Sequence, residues 1–202
     1  MWFPGRIKEI TDIDISPMLA ALDEMQEDDW FENDEQKVRL AGDRPTHSLF
    51  AYSIEPLPFR KILSQRSITQ EEVPKLGAYD RFREQLQAVF ACVETHFPKG
   101  GVFLRVQMAR MKPGSKITRH IDTSKVLENS HRLHVPLVIS EKLKFIVDKE
   151  PVKMEAGYLY ELNNQLPHAV ENPMDGTERI HLIIDYLPPE YNNSESLKDS
   201  FK

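Results

Sequence analysis

Three residues in the C-terminal half have the types and spacing of a mononuclear metal site. The segment TRHIDTS places His120 two residues before Asp122. On an extended chain, residues i and i+2 point to the same face, so both side chains can aim at one ion. His168, in LPHAVEN, follows Asp122 by 46 residues and supplies a third ligand from elsewhere in the fold. Two histidines and one carboxylate occupy one face of an iron(II) ion and leave its other positions open. A lone His-x-Asp is common, and its ordinary reading is a surface histidine bonded to a neighbouring carboxylate. Arg179, 11 residues after His168 and opening the run RIHLIIDYL, adds specificity. Its planar guanidinium suits bidentate binding of a carboxylate. The four residues together describe a site for a metal and an acidic small molecule.

The elements that must position these residues change character near Gly101. Before it, AYDRFREQLQAVFACVETHF (78–97) repeats apolar residues at Phe82, Leu86, Val89, Phe90 and Val93, the spacing of one buried helical face. Pro98 and the Gly100–Gly101 pair stop that helix. A second helix is predicted over 16–26, with Ser16 as N-cap and Pro17 in the first turn. After Gly101, VFLRVQMARM, HRLHVPLVI, KLKFIVD, GYLYEL and RIHLIIDYL are short runs rich in β-branched and aromatic residues, with turn signals between them. Such a series without intervening helices predicts an antiparallel sandwich or barrel. The expected organisation is one domain over 1–202: a largely helical part (1–100) packed outside a β core (101–189), then a flexible tail (190–202).

Composition narrows the function classes. With 40% hydrophobic and 29% charged residues the chain is that of an ordinary globular protein. A net charge of −6 lacks the footprint of a phosphate-backbone binder, so no nucleic-acid partner is expected. No run of apolar residues is long enough to span a bilayer, so no membrane partner is expected. The single cysteine, Cys92, excludes an internal disulfide and a cysteine-based metal cluster. The expected location is cytoplasmic. Residues 23–36 carry eight acidic residues and no base, and read as a solvated face interrupted by Trp30 and Phe31.

The stretch 101–189 resembles the aspartyl/asparaginyl β-hydroxylase family of iron(II)- and 2-oxoglutarate-dependent dioxygenases. The likeness is carried by Pro113-Gly114, His120-x-Asp122, the block Arg132-Leu133-His134-Val135-Pro136-Leu137, Gly157, Pro167-His168-Ala169-Val170-x-Asn172, and Arg179-Ile-His-Leu-Ile-Ile-Asp-Tyr. It implies a double-stranded β-helix, the cupin-like jelly roll, within a mainly-β α+β protein. It further implies iron(II) held by His120, Asp122 and His168, with 2-oxoglutarate and O2 as co-substrates. Arg179 would take the distal carboxylate of 2-oxoglutarate, and Arg132 and His134 would contact it nearer the metal. Asp122 keeps the full triad, as in related amino-acid hydroxylases, and a carboxylate filling that position argues against halogenation. The family has a serine eleven residues before the first histidine, where this sequence has Ala109. Gln107, Arg110 and Tyr158 are the candidates to replace it.

The implied activity is hydroxylation of an amino acid or an Asp/Asn-type residue, in a small molecule or a peptide. The competing reading is a cupin-like sensor or binding module that holds a metal or ligand without turnover. Arg132, His134 and Arg179 together discriminate, since a mere metal binder does not need them. Of the remaining polar residues, His181 reads as a core histidine and His131 as a surface one. Asn163, Asn164 and the residues near Trp30 are candidate contacts for the substrate.

Overall fold

The computed structural model describes residues 3–31, 47–52, 69–72, 78–122 and 125–192. Two antiparallel sheets face each other. The larger takes strands β1 (Ile7–Asp12), β2 (His47–Tyr52), β3 (Val102–Met111), β5 (His131–Val138), β8 (Tyr158–Leu162) and β10 (Arg179–Leu187), in the order β1-β8-β5-β10-β3-β2. The smaller takes β4 (Lys116–His120), β6 (Lys144–Val147), β7 (Glu150–Val152) and β9 (His168–Glu171), in the order β4-β9-β6-β7. This two-sheet antiparallel arrangement is the sandwich expected from the strand pattern and the jelly roll that the resemblance implies.

The N-terminal part is not only a helical coat. Its two described strands, β1 and β2, close the two edges of the larger sheet, on β8 and β3 respectively. Edge strands with unpaired backbone groups invite further pairing, and here the N-terminal part supplies it. The helices α1 (Ser16–Asp23) and α2 (Arg83–His96) cover the outer face of that sheet. Helix α2 follows a 3-10 turn over Ala78–Phe82 and buries Leu86, Val89 and Val93, while Phe90 stacks on Phe103 at 4.0 Å. Helix α1 begins differently from the expectation. Ser16 lies inside it, Ile15 takes the N-cap position without a side-chain cap, and the Ser16 N–H donates to Asp14 Oδ1 at 2.9 Å. No described helix is long and apolar enough to cross a membrane.

Alternation divides the larger sheet, broken by a register shift where Asp185 and Tyr186 pair with Arg105 and Phe103. Phe103, Val106 and Met108 of β3, Leu133, Val135 and Leu137 of β5, and Ile180, Leu182 and Ile184 of β10 join the apolar cluster under the helices. A second apolar cluster, including Met111, Phe145, Val147, Tyr160, Leu162 and Val170, lies between the sheets. Arg132, His134, Arg179, His181 and Asp185 share that inward side with the apolar Ala109, Pro136 and Ile183.

The turn between β3 and β4 brings the first metal-site strand into place. Gly114 sits at φ +80°, a conformation side-chain-bearing residues seldom adopt. Its N–H donates to Asn172 O at 2.8 Å, and the Asn172 N–H returns to Ser115 O at 3.0 Å. The Asn172 amide also donates to Met111 O and Thr177 O. This buried asparagine ties the β3–β4 turn to the end of β9.

Candidate metal centre and co-substrate pocket

His120 and His168 end up side by side because β4 and β9 pair, with the two residues as Cα partners. Their ring centroids are 4.3 Å apart. Asp122, just past β4, is fixed by its N–H to Asn164 O at 3.4 Å. Its Oδ1 lies 3.9 Å from His120 Nε2 and its Oδ2 lies 4.0 Å from His168 Nε2. All three candidate ligand atoms fall within 4.8 Å of one another.

The far sides of both rings are anchored. His120 Nδ1 meets Thr118 O at 2.8 Å and His168 Nδ1 meets Leu166 O at 3.0 Å. A backbone carbonyl can only accept, so each Nδ1 carries a proton and each Nε2 presents its lone pair to the centre. Burial pushes the His168 imidazole below its ordinary value, which keeps it neutral and available as a ligand. His120 is about two-fifths exposed and forms the open side. The donor set, one carboxylate and two imidazoles with an open face, fits a divalent iron ion.

Behind the triad runs a file of buried charge on the inner face of β3, β5 and β10. Arg132 donates from Nη1 to both oxygens of Asp185, at 2.8 and 2.9 Å, and its Nε lies 3.4 Å from Asp122 Oδ2. Arg105 Nε approaches Asp185 at 3.0 Å. Asp185 is fully buried. Burial works against the Arg132 charge, but Asp185 and Asp122 more than offset it and hold the guanidinium cationic. Arg132 therefore faces the metal site, with its guanidinium bridging the triad carboxylate and Asp185.

His134 shares that face, two residues on. Both of its ring nitrogens are buried without a partner. Burial, then Arg179, Arg132 and His168, hold it well below its ordinary value and therefore neutral. Arg179 lies further along β10 and is 2% exposed. No described carboxylate pairs with it, and burial alone lowers it to about 10. Its Nη2 meets His181 Nδ1 at 2.8 Å. A buried guanidinium without an anion is costly, so this pocket is built for an anionic ligand.

The other candidates sort by strand parity. Ala109 is the Cα partner of His181. Gln107 shares its inner face. Arg110 turns outward, donating to Glu27 at 2.8 and 2.9 Å and lying 4.3 Å over the Trp30 ring, so it does not reach the pocket. Tyr158 packs against Tyr160. His131 is buried, not on the surface: its Nδ1 meets Glu161 at 2.6 Å and its ring packs on Phe97. Asn163 and Asn164 are engaged as structure. The first donates to Phe3 O and Gly5 O, and the second to Leu127 O. Asp185 was the site residue that spacing alone did not single out, although it shares parity with Arg179 within an apolar run.

Known proteins agree with this geometry. The family model for aspartyl/asparaginyl β-hydroxylases matches residues 75–189, more than half of the chain. No curated protein sequence matches. Among solved structures, an oxidoreductase of the 2OG-Fe(II) oxygenase family from Burkholderia pseudomallei superposes with a TM-score of 0.50 at 14% identity, covering 90% of this chain and 93% of that one. A non-heme monooxygenase, ThoJ, in complex with nickel, superposes with a TM-score of 0.51 at 12% identity, covering 91% and 74%. At such identities the structures speak for the fold, and the family match speaks for the chemistry. The chain belongs to the aspartyl/asparaginyl β-hydroxylase family and is an enzyme of the 2OG-Fe(II) oxygenase class.

Proposed function

We propose that the protein is an iron(II)- and 2-oxoglutarate-dependent hydroxylase acting on an amino acid or on an Asp/Asn-type residue. The observation that carries this reading is a three-ligand cluster at β4 and β9 of the smaller sheet together with a buried guanidinium on β10 of the larger sheet that has no described counter-ion. A metal-binding module needs the first and has no use for the second.

His120, Asp122 and His168 would hold the iron, which when loaded with 2-oxoglutarate and O2 supplies the oxidising chemistry. The protein's own contribution is positional. Arg132, clamped by Asp185, holds the Asp122 carboxylate in place and balances its charge. Neutral His134 lines the path between the triad and Arg179, offering a hydrogen bond without added charge. Arg179 would fix the distal carboxylate and so set the length of oxo acid accepted. The apolar cluster of Phe145, Val147 and Val170 keeps water away from the smaller-sheet side. Substrate would enter past the exposed edge of His120.

The test is anaerobic addition of iron(II) and 2-oxoglutarate, read by the visible charge-transfer band of the chelate. Succinate release is then screened against free amino acids and short Asp- or Asn-containing peptides, with product examined for one added oxygen atom. Arg179→Ala is expected to raise the 2-oxoglutarate requirement about a hundredfold or more, with metal affinity retained. An unchanged requirement would remove the co-substrate role. A protein that binds metal but never consumes 2-oxoglutarate would be the binding module.

A further inference from the structure

A cavity of about 520 Å³ lies apart from the metal site and the co-substrate arginine. It opens where β6 and the β7–β8 connection meet the inner face of β10, and its size is that of a small-molecule site. Leu143, Phe145, Val152 and Met154 form apolar walls. None of the triad residues, Arg132, His134 or Arg179 lines it. Its one deep polar group is His181, which is fully buried. A guanidinium has only donors, so at the 2.8 Å contact Arg179 Nη2 donates and His181 Nδ1 accepts. Burial, then Arg179 and His134, keep the ring neutral, so its proton sits on Nε2. The cavity touches His181 and not Arg179, and so lies against the side of the ring turned away from the guanidinium, where the Nε2–H is. That N–H has no partner, and His134, with its ring centroid 5.8 Å away, does not bond it. The cross-strand neighbours Ala109 and Pro136 offer no side-chain acceptor. A buried donor left unmade is costly, so an occupant of the cavity is the expected acceptor.

We infer that this cavity is a second ligand site, which takes an uncharged apolar molecule whose carbonyl oxygen accepts the His181 Nε2–H. The walls supply hydrocarbon contact, and the imidazole supplies one directional bond. The occupant is uncharged because no cation lines the interior. Lys153 is exposed at the rim with Glu141 and Glu155, and the imidazole separates the cavity from Arg179, so an anion would be buried unpaired. The site is independent of the metal and of the oxo acid.

The experiment titrates the full chain with two probes of the same shape, acetophenone and α-methylstyrene, in which a methylene group replaces the carbonyl oxygen. Benzoate, the same ring with a charge, is the third. Binding is read by NMR, including the 15N resonances of the His181 imidazole. One hydrogen bond to a buried donor predicts that acetophenone binds about fivefold or more tighter than α-methylstyrene, and that benzoate binds more weakly than acetophenone. The proton should be found on Nε2, and that nitrogen should shift with acetophenone. Val152→Trp, which fills the cavity from a half-buried wall position, should abolish binding of both neutral probes. His181→Leu should bind the two equally. If neither neutral probe binds the parent, the cavity holds water only and the inference is overturned. Equal affinities in the parent, tighter binding of benzoate, a proton on Nδ1, or binding that survives Val152→Trp also overturn it. The parent's own titrations and spectra decide the matter even if a variant fails to fold.

Discussion

The two faces of the larger sheet are made by the same strands and do opposite work. On β10, Ile180, Leu182 and Ile184 join the apolar cluster under the helices, while Arg179, His181 and Asp185 point between the sheets. On β5, Leu133 and Val135 go outward, and Arg132 and His134 go inward. The outer face gains by removing hydrocarbon from water. The inner face gives some of that back by burying charges, which persist because each is paired or awaits a ligand. A period of two residues thus separates stability from chemistry within single strands.

That separation can be broken from both sides. The largest functional effect is expected from His168→Ala, which removes one of three ligands. Metal binding, followed by cobalt(II) titration, should be lost, while the thermal midpoint of the metal-free protein moves little. A large drop in midpoint would mean that the inner face also carries the fold. Asp185→Asn is the sharper probe of that point. It leaves Arg132 and Arg105 against a neutral amide and should cost about 3–5 kcal/mol in denaturant unfolding, with weakened metal affinity through Asp122. Leu182→Ala, on the outer face of the same strand, should cost about 2–5 kcal/mol. Its folded fraction should bind metal like the parent. A changed metal affinity would show that the two faces communicate.

The smallest effect lies outside both faces. Glu27 is held down to about 2 by hydrogen bonds from Arg110 and Lys112, against an ordinary 4.5. A carboxylate depressed on folding stabilises the native state above its unfolded pKa, and the gain fades as pH falls from about 4.5 toward 2. Glu27 is largely exposed, so screening limits its contribution to about 1 kcal/mol or less. The melting difference between the parent and Glu27→Gln should be small at neutral pH and shrink through that acidic window.

Much of the inner face was legible in the sequence because its logic is local. His120-x-Asp122, and Arg132 with His134, are two residues apart, and strand parity alone puts each pair on one face. The same parity places His181 beside Arg179, but an apolar run around a histidine reads first as core. The pairing of Arg132 with Asp185 spans 53 residues and depends on strand register, which no local pattern specifies. His131 looked like a surface residue because its partner, Glu161, lies on another strand. Strand β1 carries no strand signature because IKEITD is an edge strand with no fully buried position. The place of β2 beside β3 comes from long-range pairing. The tail beyond Asn192 lies outside the described residues.

The position of β10 has a consequence for how the protein is made. It lies inside the larger sheet, between β5 and β3, yet it is the last of the described strands along the chain. A nascent chain that has reached only residue 170 holds β3 and β5 with nothing between them. The two halves of the sheet cannot join until Leu187 has left the ribosome. Pairings of such long sequence separation fold slowly and leave strand edges open meanwhile. Ribosome-bound chains arrested before β10 should therefore remain protease-sensitive throughout, and resistance should arise in one step once that strand is released.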